Sequence, residues 1–203
     1  MGEVALITED QRDCLQEVTN IAMGQAADNL ARLLDAFVIL PIPHVEVLAP
    51  TDIVMALQSL EDSNSVSGVC QGFIGGGISG EAMLIFNDAS FSDLADLLNY
   101  EGEIDTQAEY ELLMDTANVL NGACLKGIAE QLDCDFSFGP PMLLGQHCRI
   151  TDLLQNNALS WKQALVVEIN YKIENRDVNC DLLLVMAEDS IDQLLKKLDI
   201  LLD

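Results

Sequence analysis

The chain has 203 residues, half of them hydrophobic and 21% charged, with 34 acidic side chains against 9 basic ones and a formal net charge of −25. That length and apolar content are enough for a self-standing core and exclude a disordered tail. The one-sided negative field argues against nucleic acid and anionic membrane surfaces as partners, and leaves proteins or surfaces with a locally basic patch.

The opening MGEVALITEDQRD carries acids where a signal peptide needs bases, and no apolar run approaches the ~18 residues needed to span a bilayer. A cytoplasmic, uninserted protein is expected. From about Thr8 to Ala36, the residues Leu15, Val18, Ala22, Ala26, Leu30 and Leu33 recur at three- and four-residue spacing after an acidic start. The spacing predicts a long amphipathic helix. Pro41 and Pro43 then interrupt FVILPIPHVEVL, which reads as an edge strand or a strand with a break, because each proline removes a ladder donor. A short segment follows around Val54 to Leu60. Ser65–Ile74 and Gly80–Phe86 read as two strands of a hairpin, turned by Gly75, Gly76 and Gly77. Ala89–Asn99 returns to helical spacing.

The second half follows the same order. A long helix is expected from about Thr106 to Leu132, then Pro140 and Pro141, strands at Trp161–Ile173 and Val178–Met186 turning at Glu174 to Asp177, and a closing helix over Ser190–Leu201. Glu17 and Asp115, Asn20 and Asn118, and Gly24 and Gly122 are each displaced by 98 positions. The chain therefore reads as a duplication within one domain, residues 1–203, with halves at about 8–99 and 106–202. The expected fold class is α+β, two helix-strand-strand-helix units merging their strands into one antiparallel sheet with the long helices packed on it.

Six cysteines stand apart without a CxxC pair, so neither a zinc ribbon nor a dithiol motif is present and reduced thiols are expected. His44 and His147 are the two histidines, too few for a His-based metal site. Cys148 beside His147 is expected to be a partly buried free thiol rather than half of a catalytic dyad. Asp133 and Asp135 lack a full ligand set and read as a solvated turn, so no intrinsic metal is expected. Gly75–Gly77 is followed by Ile78-Ser79, which does not complete a phosphate-binding loop.

The pattern shared by the two long helices is acid, two residues, amide, apolar, two residues, glycine: Glu17, Asn20, Ile21 and Gly24 in the first, Asp115, Asn118, Val119 and Gly122 in the second. At about 100° per residue, acid, amide and glycine lie within ~60° of one another, on the side away from the apolar stripe. A glycine inside a helix costs about 0.5–1 kcal/mol relative to alanine, so each one either admits a close backbone or clears space for a partner. The bare pattern leaves open whether the stripe is ordinary solvated surface or a binding face.

These residues resemble the paired Glu-x-x-Asn signatures of the CheC family, and the likeness extends over length, duplicated order and the ending LLLVMAEDSIDQLL. The CheX proteins share the fold, while FliY proteins carry a further C-terminal domain. The resemblance implies hydrolysis of the aspartyl-phosphate of a CheY-type response regulator, with Asn20 or Asn118 orienting the attacking water and Glu17 or Asp115 pairing with the regulator's lysine. It assigns partner binding to Ile21, Gly24, Val119 and Gly122, and places the divalent cation, Mg2+, on the regulator. Asp115 departs from the family's glutamate by one methylene, which implies a weaker or altered second site. The alternatives are a non-catalytic module that binds a phospho-regulator or a CheD-like deamidase, and a structural component near the flagellar switch.

Overall fold

The computed structural model describes residues 7–48, 52, 65–155, 164–176 and 179–202. The expected segment around Val54 to Leu60, Trp161 at the start of an expected strand, and Asp177 and Val178 at a turn lie outside the described residues.

Helix α1 spans Glu9–Leu34. It opens on a capping box in which Thr8 Oγ1 accepts the Gln11 N–H while the Gln11 side chain accepts the Thr8 N–H. It closes at Asp35, which turns to φ 47° and donates its N–H to the Ala31 carbonyl. The interrupted stretch after it forms two short strands, β1 (Val38–Ile39) and β2 (His44–Leu48), both antiparallel to β7 (Ala164–Ile173). Pro41 and Pro43 fall in the gap between them, so the stretch is a strand with a break.

Strands β3 (Val66–Gly75) and β4 (Ile78–Asn87) form a hairpin. Gly76 and Gly77 sit at φ 59° and 80°, backbone that disfavours a side chain, and this makes the two-residue connection possible. A 3-10 turn (Asp88–Ser90) leads into α2 (Phe91–Leu97). Helix α3 spans Thr106–Gln131 and is capped by Asp105, whose Oδ1 accepts the Ala108 N–H at 2.9 Å. Beyond it come β5 (Ser137–Phe138), β6 (Met142–Cys148) and α4 (Ile150–Gln155). The second hairpin is β7 with β8 (Asn179–Ala187), followed by α5 (Glu188–Leu202).

All pairings among the described strands are antiparallel, in one eight-stranded sheet of order β1-β7-β8-β4-β3-β5, with β2 also on β7 and β6 also on β3. The two hairpins join through β4 and β8, in a register running from Gly80 opposite Met186 to Phe86 opposite Cys180. The α+β fold with antiparallel strands and long helices on the sheet is thus as the sequence predicts.

The central strands are buried on both faces, which explains their near-continuous apolar runs. Leu84, Phe86, Leu182 and Leu184 meet Leu15, Val18 and Ala22 of α1, Leu113, Ala117 and Leu120 of α3, and Leu194 and Leu198 of α5 in the main core. Met83, Ile85, Leu183 and Val185 alternate to the other face, where Ile150 and Leu153 of α4 join them. Each large aliphatic side chain so buried contributes about 1.5–3 kcal/mol, and this packing holds both long helices in place.

Candidate functional site

On α1, Val18, Ala22, Met23 and Ala26 are buried while Glu17, Asn20, Ile21 and Gly24 are exposed. On α3, Ala117, Leu120 and Cys124 are buried while Asp115 and Asn118 are exposed and Val119 and Gly122 are half-buried. Each acid-amide-glycine stripe therefore faces solvent from a helix whose opposite side is anchored in the main core. Anchoring matters because an exposed side chain can hold a partner group in a fixed place only if its helix does not wander.

The stripes are strongly acidic around the first motif. Asp10, Asp13 and Asp28 are exposed on α1 at helical spacings that put them on the same side as Glu17. On α3, Glu111 is exposed one turn before Asp115, and Lys126 lies two turns beyond Asn118. A cationic group on a partner is attracted to the acids at both stripes.

The two glycines resolve one of the alternatives. A Cβ built at Gly24 or at Gly122 meets nothing within 4 Å. Neither glycine admits a close backbone, so what they leave is open space beside the amide. The close approach between the helices occurs elsewhere, at Gly127, where a Cβ would lie 2.8 Å from the Ala22 Cα.

Buried polar atoms lie just beneath the stripes. Thr19 and Asn121 are both 0% exposed, and Thr19 Oγ1 and both polar atoms of the Asn121 side chain have no hydrogen-bond partner among the described residues. Thr116, by contrast, donates to the Leu112 carbonyl at 2.8 Å.

Sequence reading did not find the ionic cluster around His147. His147 Nδ1 lies 2.9 Å from Asp88 Oδ2 and its Nε2 lies 2.6 Å from Glu109 Oε2. Asp88 also accepts from Ser67 Oγ at 2.7 Å and from Ser65 Oγ. The three ionic residues are separated by 59 and 38 positions along the chain, so no local spacing announces them. A second feature without a sequence signal is a cavity of about 580 Å³ lined by Phe73, Ile74, Glu81, Phe138 and Val185 with neighbouring glycines and serines. It shares no residue with either stripe.

Cys148 is half-buried, with its thiol 3.7 Å from the Val66 carbonyl, and all six cysteines are free. Among the described residues no group of three or more His, Cys, Asp or Glu side chains is placed to hold a metal ion, and Asp133 and Asp135 are exposed. No helix among them is long and apolar enough to cross a membrane.

A duplicated α+β unit with one antiparallel sheet and an exposed acid-amide stripe on each long helix defines the class: a CheC-like fold. Residues 11–43, which comprise most of α1, β1 and the connection to β2, match the CheC-like family. A search of curated proteins finds no match for the chain. Among solved structures it is similar to FliY from Thermotoga maritima, at a TM-score of 0.69 and 19% identity over 96% of this chain and 98% of that one. It is similar to the FliM middle domain from H. pylori, at 0.62 and 12% identity over 94% and 99%. It is also similar to a chain of the CheX-CheY-BeF3-Mg2+ complex from Borrelia burgdorferi, at 0.53 and 15% identity over 85% and 97%. At these identities the likeness is one of fold. The family match is thus confined to residues 11–43, and what the chain shares with FliY, CheX and FliM is the fold.

Proposed function

We propose that the protein is a phosphatase for the aspartyl-phosphate of a CheY-type response regulator, working through two sites, Glu17 with Asn20 and Asp115 with Asn118. The observation that carries this reading is the exposure of both acid-amide pairs on core-anchored helices, each beside a glycine that leaves open space.

The chemistry fits an amide. An acyl phosphate with its cation and lysine is already activated, so what a partner must add is a water held in line with the bond to be broken. The side-chain carbonyl of Asn20 or Asn118 accepts a hydrogen from that water, and the NH2 donates to a neighbouring oxygen. A carboxylate at the same place would be repelled by the phosphoryl group. One turn earlier, Glu17 or Asp115 pairs with the regulator's lysine and fixes the register of docking. Ile21 and Val119 supply apolar contact beside the amide, and the space at Gly24 and Gly122 admits the regulator's backbone. Water attacks phosphorus, the P–O bond to the aspartate breaks, and inorganic phosphate and the free carboxylate leave. Mg2+ belongs to the regulator in this scheme. One fold neighbour occurs in a complex with CheY, BeF3 and Mg2+, which supports a CheY-like partner.

Decay of a phosphorylated CheY-type regulator, followed with the wild-type chain, Asn20→Ala, Asn118→Ala and the double variant, tests the proposal. Accelerated decay that the double variant loses is the expected result. The FliM middle domain shares the fold, and this favours a second reading in which the same surface binds a phospho-regulator or a CheD-like deamidase without hydrolysis. Binding with unchanged decay would favour that reading.

A further inference from the structure

Two residues displaced by 98 positions, Gln11 and Glu109, tie the starts of the two stripe-bearing helices to the rest of the fold, by different chemistry. Gln11 Nε2 donates to Asp199 Oδ1 of α5 at 2.7 Å. Glu109 instead accepts from an imidazole, His147 Nε2, at 2.6 Å.

The backbone around His147 is built for this contact. Along the β3–β6 ladder Val66 faces Cys148 and Gly68 faces Gly145, so Ser67 stands opposite the two residues Gln146 and His147. His147 adopts φ 51°, a left-handed conformation that is uncommon for a residue with a side chain, and its N–H donates to Ser67 Oγ at 3.2 Å. The bulge sends both of its residues to α3: Gln146 Nε2 donates to the Thr106 carbonyl at 3.3 Å, and His147 reaches Glu109. On its other side the ring is 2.9 Å from Asp88, which Ser65 and Ser67 also hydrogen-bond.

We propose that His147 is a positioning residue whose imidazolium, held between Asp88 and Glu109, fixes the first turns of α3 and hence Asp115 and Asn118, making the second stripe proton-dependent while the first is not. An imidazole whose two nitrogens both face carboxylates satisfies both contacts by donating twice, which requires the charged form. Partial burial opposes that charge, but the hydrogen bonds to Asp88 and Glu109 and the charge of both outweigh it, and the His147 pKa is raised. The sign follows: the clamp is complete below the ordinary histidine value of about 6.5 and is lost as pH rises through the higher folded value.

Phe91 of α2 presents its ring to the imidazole at 6.4 Å, the Cys148 thiol is itself raised by burial and by Asp88 and Asp152, and Asp152 of α4 is paired with Arg149 at 2.9 Å. At the start of α1 the corresponding contact joins the Gln11 amide, which does not titrate, to the Asp199 carboxylate, with no imidazole in it.

The clamp stands independently of the proposed activity; its effect on turnover rests on that reading. The test is a pH titration of the full chain by nuclear magnetic resonance, reading the His147 ring with His44 as the second histidine signal and the backbone amides of residues 105–118 and 8–20. A His147 midpoint above about 6.5, with amide changes at that midpoint in residues 105–118 and not in 8–20, is expected. His147→Gln should abolish those changes, and Glu109→Gln should lower the His147 midpoint, so loss of folding in one variant leaves the other and the wild-type titration decisive. A midpoint at or below about 6.5, or equal responses in both helices, overturns the proposal. In regulator decay, turnover by Asn20→Ala should fall above the midpoint relative to Asn118→Ala, the ratio cancelling the regulator's own pH dependence. The absence of all phosphatase activity with the titration as expected would sink the activity reading and leave the clamp intact.

Discussion

Gly127 of α3 lies against Ala22 of α1 so closely that a Cβ on the glycine would stand 2.8 Å from both the Cα and the Cβ of Ala22. Ala22 is 0% exposed and immediately follows Ile21, so this contact fixes how the helix of the first stripe seats on the helix of the second. Backbone cannot yield there as a long side chain could. Gly127→Val is expected to lower the unfolding free energy by about 1–3 kcal/mol through overpacking, read as a lower urea midpoint with an unchanged slope. An unchanged midpoint would mean that the helices part without cost.

Gly24 and Gly122 should behave in the opposite way. With nothing within 4 Å of an added Cβ, the helix gains from alanine without a clash. Gly24→Ala and Gly122→Ala are each expected to raise stability by about 0.5–1 kcal/mol while weakening association with the phosphorylated regulator. Thermal unfolding reads the first effect and a binding titration the second. Stabilisation with undiminished binding would remove the glycines from the partner surface.

Asn121 occupies, 98 positions on, the place of Met23, and both are 0% exposed. Neither polar atom of the Asn121 side chain has a hydrogen-bond partner among the described residues. Leaving buried polar groups unpaired costs about 1–3 kcal/mol, so Asn121→Leu, close in shape, is expected to recover a similar amount in chemical denaturation. A destabilised variant would show that the amide has a partner, such as a buried water.

The cysteines supply a prediction about reactivity. Burial, reinforced by Glu81, pushes the Cys70 thiol up to about 12, and burial pushes Cys124 to about 12 as well. Cys180 is raised well above its ordinary value, burial first and Asp181 second. A thiol of pKa about 12 is thiolate in roughly one molecule in ten thousand at pH 8, and the thiolate is the reactive form. Alkylation of the native protein at pH 8, read by mass spectrometry, should therefore modify Cys14, Cys134 and Cys148 before the other three. Early labelling of Cys124 would contradict the packing of α3.

The elements written in local chemistry were legible before the structure. The acidic start after Thr8 and the recurrence of Leu15, Val18, Ala22 and Ala26 announce α1, and Gly75 to Gly77 announce the β3–β4 turn, whereas the capping contact of Thr8 with Gln11 emerged only from the structure. The order of the two stripes followed from a displacement of 98 residues. Strands β5 and β6 and the short α4 were not foreseen, because most of β5 and β6 is exposed or half-buried and gives no clean alternation. The His147 clamp was hidden for a different reason: its three charged members come from β6, the β4–α2 junction and α3, and nothing near any of them in sequence reports the others. Likewise, that no backbone packs against the paired glycines is visible only in the space around them.

The second stripe differs from the first in the length of its acid, and that difference is measurable. Asp115 is exposed, as Glu17 is, so restoring one methylene there meets no packing constraint. If the acid's task is to reach a lysine on the regulator, Asp115→Glu extends that reach by about 1.5 Å, enough to turn a solvent-separated pair into a direct hydrogen bond. Charge-assisted hydrogen bonds contribute about 1.5–3 kcal/mol, of which exposure and screening retain a part. Measured in the Asn20→Ala background, where the second site alone remains, Asp115→Glu is expected to lower the KM for the phosphorylated regulator several-fold with kcat little changed, because docking and not water orientation has improved. A gain in kcat at constant KM would instead place the carboxylate beside the reacting phosphoryl group and reverse the roles of acid and amide.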